Sequence, residues 1–172
     1  MADELAAGVN GLIGIFSSSP DKAKATFGVS TELEEGLRAP VRARQHVLVI
    51  DEPSALGGTD TGANPVEAVL AGLASCQAIT YRVWAAKLGV ALDTVSVEAD
   101  GDIDLLGFFG IDPDARAGYN DIRLRVTLDG PESPERYREL ADAVDAHCPV
   151  LDIIENSVPV TRTLVEPAAV TA

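Results

Sequence analysis

The segment between Asn64 and Gly89 constrains this chain more than any other. Asn64, Pro65 and Glu67 stand at the N-cap, first and third positions of a helix, the pattern of a capping box, and Gly89 stands where a helix stops. The predicted helix covers 65–88 and is about 36 Å long at 1.5 Å per residue, comparable to the width of a small domain. Its only charged residues are Glu67, Arg82 and Lys87. A helix that is apolar nearly all round has to be covered nearly all round. A chain of 172 residues provides one domain, with few other elements to do the covering. Burial of this helix at a subunit interface is therefore expected.

Charge narrows the partners. The chain carries 27 acidic and 13 basic residues, a net charge of −14. That balance repels phosphate backbones and anionic lipid, so neither a nucleic acid nor a membrane is expected as a partner. The uncharged run Ala68–Tyr81 is 14 residues long. It falls short of the roughly 18 that indicate a membrane span and reads as a buried helix. Met1-Ala2-Asp3-Glu4 is acidic where a secretory leader needs positive charge, and the first lysine is Lys22, so a cytoplasmic setting is expected. Two cysteines are too few for a disulfide framework. Together with two histidines they are not spaced as a metal set, and no metal or organic cofactor is expected.

Periodicity outlines the remaining elements. Leu5, Val9, Leu12 and Phe16 share one helical face and predict a helix over 3–16. Residues 24–52 read as strands: Phe27, Val29, Thr31 and Leu33 alternate with smaller or polar residues, and 46–51 makes the best single strand. If 38–44 is extended, Arg38, Arg42 and Arg44 share one strand face. The glycine-rich stretch 56–63 lacks the Gly-Lys-Ser/Thr of a phosphate loop and the dinucleotide fingerprint, so it reads as a turn into the helix. Strands are predicted at 92–105 and 120–129, each with one polar face, as in antiparallel sheet with one side wet. Gly107-Phe108-Phe109-Gly110 between them is either a lid over a site or a hairpin end tucked onto the core. Ser133 and Pro134 start a helix whose buried stripe is Tyr137, Leu140, Ala141 and Val144. A closing strand is predicted over 159–165. Runs of strands with inserted helices, without βαβ alternation, give an α+β class.

The two cysteines occupy different settings. Cys76 lies in mid-helix, where a free cysteine commonly serves as a small buried hydrophobe, and nothing nearby in sequence would lower its pKa. Cys148 precedes Pro149, which suits a first helical position, so Cys148 would stand at an N-cap where the helix dipole favours thiolate. Local chemistry thus nominates Cys148 as the more easily ionised thiol. His147, although adjacent, would point elsewhere. The cysteines are 72 residues apart. An intracellular pair of this kind suggests reversible redox chemistry if the sulfurs meet in space.

Asp51-Glu52-Pro53, the run Leu56-Gly57-Gly58-Thr59-Asp60-Thr61-Gly62, Asn64-Pro65, the segment Ala71–Cys76, His147-Cys148-Pro149 and the closing segment 159–165 together resemble the OsmC/Ohr family of hydroperoxide-resistance proteins. The resemblance covers about residues 24–165. It divides the chain into an N-terminal helical extension (1–20), an OsmC-like α+β domain (21–166) and a tail (167–172). It implies antiparallel sheets packed on long central helices in an intertwined homodimer. It also implies thiol-dependent reduction of a small-molecule organic hydroperoxide, with Cys76 as attacking thiolate, Cys148 as resolving thiol and an external thiol as reductant. This assignment opposes the local argument for Cys148. An activating arginine lies in the first strand turn of the family, for which Arg38 is the candidate and Arg42 and Arg44 are rivals.

Two departures from the family stand out. The peroxidases place a glutamate directly after the proline of the Asn-Pro start, where this chain has Val66, and the acid comes one residue later at Glu67. Glu67 and Cys76 are nine residues apart, about 180° around a helix, so Glu67 reads as a capping residue rather than a catalytic one. Val150-Leu151 also follows Cys148-Pro149 where the peroxidases have a more polar continuation. The alternatives to a peroxidase are a non-catalytic dimer that binds a small apolar or thiol-reactive ligand, and a redox sensor.

Overall fold

The computed structural model describes residues 2–165, arranged around the central helix. In chain order the elements are α1 (Ala2–Ser18), β1 (Ser30–Thr31), β2 (Ala39–Ala43), β3 (His46–Ile50), α2 (Pro65–Leu88), β4 (Thr94–Ile103), α3 (Leu105–Phe108), β5 (Tyr119–Asp129), α4 (Pro134–Asp145) and α5 (Pro149–Glu155). Two antiparallel sheets form, one in the order β1-β2-β3 and one of β4 and β5, which makes the class α+β.

Both ends of α2 are built as its residues predict. Asn64 Oδ1 accepts from the Glu67 N–H at 2.8 Å, and the Asn64 N–H donates to Glu67 Oε2 at 2.9 Å. Gly89 ends the helix in the left-handed region at φ 63°. Arg136 takes up one carbonyl released there, donating to Leu88 O at 2.9 Å, and Arg82 donates to the Leu92 and Asp93 carbonyls of the connection that follows. Helix α2 packs against α1, β4, α4 and α5. The core joins Tyr81 and Ala85 of α2, Val90 and Leu92 of the following connection, and Leu140 and Val144 of α4. Leu140 and Val144 are fully buried, each stabilising the fold by about 1.5–3 kcal/mol. Sheet β4–β5 turns Val95, Val97, Ile122, Leu124 and Val126 inward, as the alternation predicts.

The N-terminal region departs from expectation. Of the strand predicted across 27–33, only Ser30 and Thr31 pair. Phe27 is 88% exposed and Val29 72%, because nothing among the described residues covers them. Arg38, Arg42 and Arg44 do not share a strand face. Arg38 precedes β2, and Arg44 sits in the β2–β3 turn at φ 56°. The N-terminal sheet packs little on the rest of the chain, and Val47 and Leu48 are exposed.

Two other readings change. Segment 159–165 is not a strand and joins neither sheet among the described residues. Phe108, which ends the short α3, and Phe109, which caps it, are exposed and meet edge to face at 4.9 Å, so they are not tucked onto the core. Helix α2 is not covered all round within one copy, for Val69 is 46% and Ile79 65% exposed. No described helix is long and apolar enough to cross a membrane. The predicted tail 167–172 lies outside the described residues.

Candidate functional site

Folding brings the two cysteines together. Cys76, half-buried on α2, stands close enough to Cys148 for its side chain to act on the Cys148 thiol, and both are free thiols. Cys148 is fully buried at the N-cap of α5. Its sulfur lies near the Leu151 and Val150 N–H groups without closing a cap hydrogen bond. Burial pushes the Cys148 thiol up. The Leu151 N–H pulls the other way, and the neighbouring Cys76 sulfur adds to the rise. The helix start was expected to favour the Cys148 thiolate, but desolvation of the charged form outweighs the N-terminal field of a short helix. At neutral pH Cys148 is held as the thiol.

The surroundings fix both elements. Thr80 Oγ1 donates to the Cys76 carbonyl at 2.7 Å. The buried Gln77 donates from Nε2 to Asp145 Oδ1 at 3.4 Å. His147 turns away from Cys148, as expected. Its ring packs on Trp84 with centroids 4.2 Å apart, and its Nδ1 lies 2.8 Å from Ala143 O.

A groove of about 430 Å³ runs between α2, β5 and α5, walled by Val69, Leu73, Ile122, Leu124, Leu151 and Ile154, with Arg116, Tyr119, Asp121 and Glu155 among its polar residues. Leu73 is three residues before Cys76 and Leu151 three after Cys148, so both sulfur-bearing elements form its walls. A second groove, of about 720 Å³, follows Val66, Leu70 and Ala74 of α2 and Ala99 and Ile103 of β4. A hollow of about 560 Å³ in the N-terminal sheet is lined by Ser30, Thr31, Glu34 and Arg42, on elements that carry neither cysteine.

The other candidates lie apart from the sulfurs. Arg38 is ion-paired with Glu34, and among the described residues no interaction joins it to Cys76. Glu67 is engaged in the cap of α2, in keeping with its expected role. Two residues escaped the sequence reading. Asp51 is closed off from water inside its own loop, accepting from the Glu52, Thr59 and Thr61 N–H groups and the Thr59 and Thr61 hydroxyls at 2.5–3.2 Å. The Thr59 hydroxyl, then burial acting in opposition, then the Thr61 donors set its carboxyl well below the usual carboxylate range. The loop's glycines serve this closure. A Cβ on Gly58 would stand 1.8 Å from Glu52 O, and one on Gly62 2.2 Å from Val49 O. The paired threonines eight and ten residues after Asp51 were the available signal. The second is Tyr119, which lines both grooves beside α2 and was hidden by its place at a strand end.

Comparison with known proteins follows this geometry. An OsmC-like protein from Mycoplasma pneumoniae shares the fold with a TM-score of 0.69 at 21% identity, over 78% of this chain and 90% of that one. An organic hydroperoxide resistance protein OsmC from Legionella pneumophila gives 0.58 at 20% identity, over 76% and 89%. An organic hydroperoxide resistance protein from Elizabethkingia anophelis gives 0.60 at 17% identity, over 78% and 91%. No curated protein sequence matches. The family model described as OsmC-like protein matches residues 58–163, a span that holds α2, both cysteines and the β4–β5 sheet, and the chain belongs to that family.

Proposed function

We propose that this protein reduces organic hydroperoxides with two cysteines and an external thiol. The observation that carries the reading is the approach of a half-buried thiol, Cys76, to a fully buried one, Cys148, on the two helices that wall a groove of mixed polarity. Family membership and the hydroperoxide-resistance names of solved relatives support it.

In the first step the Cys76 thiolate attacks the outer peroxide oxygen. The O–O bond breaks, the alkoxide takes a proton and leaves as alcohol, and Cys76 becomes a sulfenic acid. The Cys148 sulfur then displaces hydroxide from the Cys76 sulfenic acid, and its proton leaves with that oxygen as water. A disulfide forms. Two equivalents of an external thiol reduce it, becoming a disulfide themselves. Burial of Cys148 suits the resolving role, because an incoming peroxide meets Cys76 first. Arg38 is the proposed activating cation, delivered by the N-terminal sheet of a second copy. The exposed Val47 and Leu48 of that sheet, the exposed Val69 and Ile79 of α2 and the unpaired segment 159–165 support a homodimer. Glu34 serves Arg38 as the carboxylate partner that Val66 does not supply.

The test is consumption of an alkyl hydroperoxide in the presence of a dithiol, together with the intact mass after one equivalent of peroxide. Loss of two hydrogens and abolished turnover in Cys76→Ser are expected. Equal turnover in wild type and Cys76→Ser overturns the proposal. An unchanged mass would favour a binding protein instead.

A further inference from the structure

Tyr119 opens β5 directly after Gly118, at the irregular end of the β4–β5 ladder. Asp102 pairs with Asp121 but Ile103 with Tyr119, so Asn120 is an extra residue in the strand. A bulge of this kind bends the strand and re-aims the side chain beside it. The ring is seated on Gly101, where an added Cβ would stand 2.8 Å from Tyr119 Cδ1 and 2.9 Å from Cε1. Only a residue without a side chain leaves that seat open. Burial, with the Glu67 charge adding to it, raises the phenol pKa, so the hydroxyl stays protonated. Thus placed, Tyr119 is, among the described residues, the one that lines both the 430 Å³ groove and the 720 Å³ groove. The first passes Leu73 and Leu151 beside the cysteines; the second passes Val66 and Leu70.

We propose that Tyr119 is a specificity-determining partition, confining a compact apolar substrate to the groove beside Cys76 and denying a long chain the use of the second groove. The identity of that substrate as a hydroperoxide rests on the function proposed above; the size selection rests on the bulge, the glycine seat and the shared wall.

The test uses the full chain and two unreactive alcohols, cumyl alcohol as the compact probe and decanol as the extended one, titrated calorimetrically. Wild type prefers cumyl alcohol. Tyr119→Ala joins the grooves and moves the affinity ratio towards decanol about tenfold, the scale of a methylene or two gained in an apolar pocket. Gly101→Ala pushes the ring from its seat and moves the ratio the same way, which guards against one variant failing to fold. Tyr119→Phe keeps the ring and the wild-type ratio, an outcome a merely structural hydroxyl would not give. An unmoved ratio in folded Tyr119→Ala, an equal shift in Tyr119→Phe, or no binding of either alcohol to wild type overturns the partition. Alcohol binding needs no thiol chemistry. A shifting ratio in a protein that never consumes hydroperoxide sinks the peroxidase reading alone, and normal turnover with an unmoved ratio sinks the partition alone.

Discussion

Replacing Glu67 with alanine separates two roles that a carboxylate at the head of α2 can have. As a cap it accepts from the Asn64 N–H at 2.9 Å, a bond worth about 0.5–1.5 kcal/mol. Its charge at the helix start adds about 0.3–1 kcal/mol. The higher helix propensity of alanine returns a few tenths. The net loss is about 1 kcal/mol, a fall in Tm of about 2–4 °C for a chain of this size. Asn64→Ala removes the reciprocal bond to the Glu67 N–H and costs about 1 kcal/mol. Because the two bonds hold the same turn, the double variant loses less than the two singles added together, by about 0.5 kcal/mol or more. Hydroperoxide consumption stays at the wild-type rate in Glu67→Ala, since the carboxylate faces away from Cys76. A positioned acid–base group would contribute about 10²–10⁴-fold. Thermal melts and a dithiol-coupled peroxide assay decide the matter. A fall in turnover of about a hundredfold with an unchanged Tm refutes the capping argument.

Three further outcomes follow from the packing and the site. Leu140→Ala empties part of the fully buried α2–α4 contact and costs about 2–5 kcal/mol in urea unfolding, whereas a loss below about 1 kcal/mol contradicts the core described for α4. The lowered pKa of Asp51 means that its stabilisation is complete above the unfolded carboxylate value of about 3.9 and drains away as pH falls from there towards the native value. Unfolding titrations of Asp51→Asn should accordingly lack that part of the acid loss, and an acid limb identical to wild type tells against the loop assignment. Cys148 is buried with a raised pKa, so iodoacetamide should label Cys76 in the native protein and reach Cys148 only after urea; equal native labelling contradicts the burial.

Legibility in the sequence followed the range of the forces involved. The start of α2 at Asn64, its stop at Gly89 and the start of α4 at Ser133 could be read because caps act within one turn. The inward residues of β4 and β5 could be read because side chains alternate at every residue. The same rules failed for Phe27, Val29 and segment 159–165. Their alternation is real, but a strand needs an edge to pair with, and among the described residues these segments pair with none. Arg44 was misplaced because a hairpin turn, not the strand, claims its backbone. The roles of Asp51 and Tyr119 could not be read because their partners, Thr59, Thr61 and Gly101, are brought to them by the fold.

Sequence alone determined where the helices begin and end, the α+β class, the acid excess and the two residues able to do sulfur chemistry. Only the tertiary structure decided that residues 76 and 148 come close, that the helix-start cysteine is buried with its thiol pKa raised, and that a tyrosine lines both grooves beside α2. The first set depends on interactions between near neighbours, which one stretch of chain contains. The second depends on desolvation and on contacts between distant segments, which exist only once the whole chain has packed.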